Sequence, residues 1–162
     1  MGKDLLAWLP SAQIDALLAI PHGEALLAAL FFLAAVTTHA SGIPGTLMPM
    51  SFTSGALLGG ALGIAAVATG TLIGGQILYL LLARGSEATL RQKYGHRLQK
   101  LDALASKRGL ASMAGLRLAG APHLLVTVLC ALAAFGPRRY AVATLIGLLP
   151  AISLSALAGS AL

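Results

Sequence analysis

The sequence predicts an all-α integral membrane protein. Three full spans, two oppositely facing re-entrant helical hairpins forming an inverted repeat, and one amphipathic basic helix make up a single membrane domain over residues 1–162. Apolar side chains account for 57% of the 162 residues and charged ones for only 10%, less than half of the roughly 25% charge of a soluble domain. Residues 25–83, 118–137 and 140–162 contain no Asp, Glu, Lys or Arg, and about 20 apolar residues suffice to cross a bilayer. These runs are continuous and do not alternate, which excludes a transmembrane barrel. A soluble enzyme is excluded by the same composition.

The charge that does exist is concentrated. The net charge is +6, and residues 84–117 hold eight of the 11 basic side chains. A basic loop between apolar runs reads as the cytoplasmic side of a membrane protein, so nucleic acid is not an expected partner. The single cysteine, Cys130, lies inside an apolar run. It supports neither a disulfide framework nor a Cys-based metal site, and no metal or cofactor is expected. The N-terminus does not read as a cleavable signal, because Pro10, Gln13 and Asp15 interrupt any apolar core region.

The elements follow in order. Residues 4–20 are amphipathic and contain Trp8, which favours the headgroup level, so an interfacial helix interrupted at Pro10 is expected. A span over 22–40 follows Pro21, a residue suited to a first helical turn. It ends at Ser41–Gly42–Ile43–Pro44–Gly45, a cluster that cannot continue a helix.

The uncharged stretch 46–83 is too long for one span and short for two, and Pro49, Ser51, Thr53, Ser54 and Gly55 punctuate it. A re-entrant hairpin over 44–62 and a span over 64–83 fit the count. Broken helices at membrane depth are tolerated where they are buried or line a wet cavity. In 86–108, Leu90, Tyr94, Leu98, Leu101 and Leu104 form a helical stripe beside Arg91, Lys93, Arg97, Lys100 and Lys107. That is a basic helix for the inner leaflet or for packing on its own protein.

The run 117–137 carries Gly120, Pro122, His123, Gly136 and Pro137. As a re-entrant hairpin it keeps Arg138 and Arg139 on the side of the basic loop, as the positive-inside bias requires. A span over 140–162, kinked at Pro150, completes the chain. Two hairpins dipping from opposite faces form the inverted repeat common in transporters.

The stretch from Gly42 to Gly85 resembles the VTT-domain proteins, also known as DedA or SNARE-associated Golgi proteins. It has a Gly-x-Pro opening (Gly42–Ile43–Pro44), a glycine-spaced helix and a closing Tyr79–Leu80–Leu81–Leu82–Ala83–Arg84. Downstream, Arg117–Leu118, Pro122, Arg139–Tyr140 and Gly147–Leu148–Leu149–Pro150 fall in the family's order and spacing, so the resemblance covers about 40–162. The sequence departs from the pattern with Gly120 at the proline position of Arg-x-x-Pro and with Thr127 near the usual Asn. Many members continue with a further span after the region resembling Pro150–Leu162.

The resemblance implies movement of lipids between leaflets, as phospholipid scramblases or carriers of polyprenyl-phosphate lipid, with some members tied to the proton gradient. A non-enzymatic transporter in a bacterial inner membrane is therefore expected, with anionic phospholipid or lipid phosphate as partner. A homo-oligomer is compatible with this reading. A proton-coupled secondary carrier of a small solute is the alternative, and a structural assembly factor the third reading.

Candidate residues divide by chemistry. Arg117, Arg138 and Arg139 bracket the second hairpin, and guanidinium groups match phosphate geometry; anchoring at the interface is the competing role. Arg117 is expected in a wet groove. Pro44 and Pro122 mark the two hairpin openings and join the lipid-binding set. Glu24, His39 and His123 are proton-coupling candidates, each with an interfacial placement as the alternative. Gly55, Gly59, Gly63, Gly70 and Gly74 form a ladder that lets helices approach in lipid. Enzyme motifs are missing: there is no His-Glu-x-x-His, and Ser54–Gly55 lacks the glycine of an intramembrane serine protease motif, with Phe52 in its place.

Overall fold

A computed structural model describes residues 19–85, 89, 92–95, 109–133 and 135–161, and every described element is helical. The elements are α1 (Gly23–Ala40), α2 (Leu47–Leu58), α3 (Gly60–Ala83), α4 (Leu110–Leu118), α5 (His123–Leu132) and α6 (Pro137–Ser160). Three of them, α1, α3 and α6, are long and apolar enough to cross a membrane. At 1.5 Å per residue the 24 residues of α3 and of α6 reach about 36 Å. The 12, nine and 10 residues of α2, α4 and α5 each reach only about 14–18 Å, roughly half of a 30 Å hydrocarbon core. The expected interfacial helix 4–20 lies outside the described residues, as does nearly all of the basic helix 86–108.

Where a two-armed hairpin was expected over 44–62, the chain forms one short helix and turns once. Pro49 sits in the first turn of α2, where no intrahelical N–H is needed. Ser51 and Thr53 donate their hydroxyls to the carbonyls of Leu47 (2.7 Å) and Pro49 (2.8 Å), so these residues sit inside the helix without ending it. The turn is Gly59, at φ 76° and ψ 162°, a region open essentially to glycine alone. The returning arm is α3 itself, antiparallel to α2, with Ser54 against the backbone of Gly63. Residues 60–62, expected in the hairpin, are the first turn of this long helix, which runs unbroken from Gly60 to Ala83.

The second break lies at Gly120–Pro122, as the sequence predicts, but its first arm starts earlier. The arm before it runs over Leu110–Leu118, beginning ahead of the expected residue 117. Met113, Ala114 and Arg117 recur at helical spacing and are buried together. The chain turns through 119–122, with Gly120 at φ 81°, and α5 follows. The last helix begins at Pro137, before the expected 140, because proline is accepted at a first helical position. Pro150 lies within α6, which continues through it.

Packing explains the glycines. A Cβ at Gly70 or Gly74 would run into backbone of Phe32 and Val36, so α1 and α3 meet backbone to backbone. A Cβ at Gly55 would collide with Ala156, and one at Gly159 with Phe52, which joins α2 to α6 in the same way. Gly63 faces Ser54 across the hairpin. Gly59 is a correction to the expected ladder: nothing lies within 4 Å of a Cβ there, and its role is the turn. Two apolar clusters complete the interior. One is built around Tyr79, Met113, Val128 and Tyr140, the other around Ala35, Val67, Leu148 and Ile152. Cys130 is fully buried in the first.

Candidate functional site

The two breaks in the chain, 41–46 and 119–122, meet at one cleft. Its lining includes His39 from the end of α1, Pro44 and Gly45 from the first break, Arg117 and Leu118 from α4, Gly120 and Pro122 from the second break, and His123 from α5. Leu148 and Ala151 of α6 close one wall. The helices α2 and α5 both start here, and helix N-termini present unpaired N–H groups and positive dipole ends.

Arg117 dominates the chemistry. Its residue is only 4% exposed, a correction to the wet groove expected from the sequence. The side chain packs on α6 at Gly147, where a Cβ would come within 2.6 Å of the arginine Cβ. Its guanidinium lies 5.1 Å from the centre of the Tyr140 ring, a cation–π distance. Nη1 donates to Nδ1 of His123 at 2.7 Å. Arginine has only donors, so Nδ1 of His123 must be the bare acceptor nitrogen and Nε2 carries the hydrogen.

Three N–H-bearing atoms of this pair are buried without a partner among the described residues: Nε and Nη2 of Arg117 and Nε2 of His123. Among the described residues Glu24 is the only carboxylate, and it lies exposed in the first turn of α1, at the far end from His39. Arg117 therefore has no carboxylate partner among them. A buried cation with unmet donors is costly unless an anion or water completes it.

His39 sits beside the pair, its ring 5.1 Å from that of His123 and nearly perpendicular to it. Its Nδ1 donates to the carbonyl of Ala35 at 3.0 Å, which assigns that hydrogen. Of the sequence candidates, His39, Pro44, Arg117, Pro122 and His123 come together at the cleft. Arg138 and Arg139 are exposed in the first turn of α6 and do not line it.

Five residues that hold the site in place are not among the site candidates read from the sequence, although Tyr79, Thr127, Tyr140 and Gly147 stand in the family motifs. Tyr140 is fully buried and its hydroxyl is 3.0 Å from Oγ1 of Thr127. Thr127 spends its own hydrogen on the His123 carbonyl at 2.8 Å, so the tyrosine O–H is the donor. Tyr79 stacks on Tyr140 at 4.7 Å and accepts a bond from the Gly136 N–H. Gly75 leaves the space that the Tyr140 hydroxyl and the His123 ring occupy, 3.0 and 3.1 Å from where its Cβ would stand. Gly147 is the seat of Arg117. The available signals were a tyrosine and a threonine inside apolar runs, which need hydrogen-bond partners when buried.

A family model described as the VTT domain matches residues 43–161 of the chain. No curated protein and no solved structure matches it.

Proposed function

Because the chain belongs to the VTT-domain family, the domain of the DedA and SNARE-associated Golgi proteins, we propose that it moves a phosphate-bearing lipid between membrane leaflets. It is a multi-pass membrane protein with three spanning-length apolar helices; a bacterial inner membrane is the setting we assign to it. The observation that carries the reading is the unmet hydrogen-bonding edge of buried Arg117, Nε and Nη2. That edge is the two-pronged donor that phosphate oxygens fit. The positive ends of α2 and α5 add to the same field.

The half-length α4 and α5 on either side of the 119–122 turn, and the half-length α2 before the Gly59 turn, support re-entry from opposite faces, the inverted-repeat plan. In that plan a head group enters the cleft while its chains remain in the bilayer. The rival carrier of a small solute calls for a closed central cavity. Here the cleft is flanked by outward-facing Met48 and Leu118, 52% and 56% exposed, an open apolar side that favours a lipid.

Reconstitution into liposomes tests this. Labelled phospholipid or polyprenyl phosphate should exchange leaflets faster than in protein-free vesicles, and a labelled glycolipid without phosphate should not. Equal rates with and without the protein for every phosphate lipid overturn the proposal.

A further inference from the structure

The cleft at Arg117 adjoins a second space. A shallow open trough is lined by Met48, Leu118, Pro150, Ala151, Leu154 and Ser155, and it shares Met48, Leu118 and Ala151 with the cleft. Leu118 is the junction: it follows Arg117 directly, so the buried cation and an exposed apolar side chain occupy adjacent positions of α4. The polar group of Ser155 is already used, since its Oγ donates to the Met48 carbonyl at 2.9 Å. The floor of the trough therefore offers hydrocarbon. Leu154, at 71% exposed, forms its outer rim.

We propose that this trough holds a hydrocarbon chain of the ligand whose phosphate meets Arg117. The site then reads head and chain together, and its ligand is a chain-bearing phosphate ester of the membrane, not free phosphate. This inference rests on the lipid-phosphate reading of the cleft and adds the place where the chain leaves it. The charge of the occupant follows from the unpaired guanidinium edge, and its apolar part follows from the largely apolar lining of the trough and the three residues it shares with the cleft.

The test uses the full chain in nanodiscs of neutral lipid and a long-chain alkyl phosphate carrying a diazirine near the chain end. After irradiation, adducts are mapped by mass spectrometry. They should concentrate several-fold on Met48 and Leu154 over the exposed Leu26, Leu30 and Leu33 of α1. Excess unlabelled alkyl phosphate should remove that enrichment and glycerol phosphate should not. Arg117→Gln should lose it. So should Leu154→Trp, a change at an exposed rim position that fills the trough and leaves the core intact.

Even labelling of α1 and the trough overturns the inference, and so does enrichment that survives Arg117→Gln. Failure of the underlying reading appears separately, as equal leaflet exchange of phosphate lipids with and without protein in liposomes.

Discussion

Arg117 and His123 stand on two different helices, on either side of a four-residue turn, and a 2.7 Å hydrogen bond from guanidinium to imidazole joins them. The bond closes the break between α4 and α5, fixes which imidazole nitrogen is bare, and leaves the other guanidinium edge unpartnered. Turn geometry and ligand chemistry are thereby linked in one contact.

Replacing Arg117 should separate charge from geometry. Lysine keeps the charge but lacks the planar fork. Losing one charge-assisted bond, at about 1.5–3 kcal/mol, predicts a fall in lipid flip rate of about tenfold or more for Arg117→Lys, and losing two predicts about a hundredfold or more for Arg117→Gln. Rates are compared at equal amounts of folded protein, since the residue is buried. Unchanged rates in both variants leave Arg117 a packing residue.

Gly75→Ala should impair transport more than stability. The added Cβ would stand 3.0 Å from the Tyr140 hydroxyl and 3.1 Å from Cε1 of His123, so both must shift by a few tenths of an ångström. A small change in thermal midpoint with a several-fold loss of flip rate is the expected pattern. A large drop in midpoint with normal flipping argues against it.

Tyr140→Phe removes the donor to Thr127 and keeps the ring over Arg117. A loss of about 0.5–1.5 kcal/mol is expected. Thr127→Val should cost no more once Tyr140 is already phenylalanine, apart from the lost bond to the His123 carbonyl. A double-mutant cycle in detergent measures the coupling, and a value of zero means the two hydroxyls act independently.

Gly59→Ala should destabilise through the backbone alone. Its φ of 76° costs a residue with a Cβ about 1–3 kcal/mol, and no neighbour is touched. The comparison is Gly45→Ala, also at positive φ with open space around it, in the other connection of α2. If Gly59→Ala leaves the thermal midpoint unchanged, the hairpin does not depend on this angle.

Topology is testable with single cysteines at positions 84 and 139, both exposed. The native Cys130 is fully buried and does not compete for reagent. If α4 and α5 form a re-entrant pair, both introduced thiols react from the same face of the membrane. Reaction from opposite faces removes the inverted repeat.

How much of this was legible in the sequence depended on the kind of signal. The charge-free runs around α1, α3 and α6 are a length argument, and length survives folding. The turns were harder to place. Ser51 and Thr53 looked like breakers, yet their hydroxyls bond back to the carbonyls four residues before, so α2 continued to Leu58. The start of α4 at Leu110 was hidden because its apolar stripe directly follows a highly charged segment. Arg117, His39 and His123 were named one by one as candidates. That they share a cleft was not readable, because it depends on how the segments 41–46 and 119–122 are brought together. Tyr140 stands beside two exposed arginines in the sequence; its own burial, against Thr127 and Tyr79, is a tertiary fact.

The glycine contacts between helices have a chemical consequence beyond their closeness. At Gly55, Gly70, Gly74 and Gly159 the hydrogen standing in place of Cβ points at a carbonyl oxygen of the neighbouring helix, on Ala156, Phe32, Val36 and Phe52 respectively. These are Cα–H···O contacts, worth about 0.5–1 kcal/mol each. Apolar burial gives little between helices when the surroundings are already hydrocarbon. The seams of this bundle are thus held by the main chain itself, and a single added methyl group at any of the four removes the weak bond as well as the space.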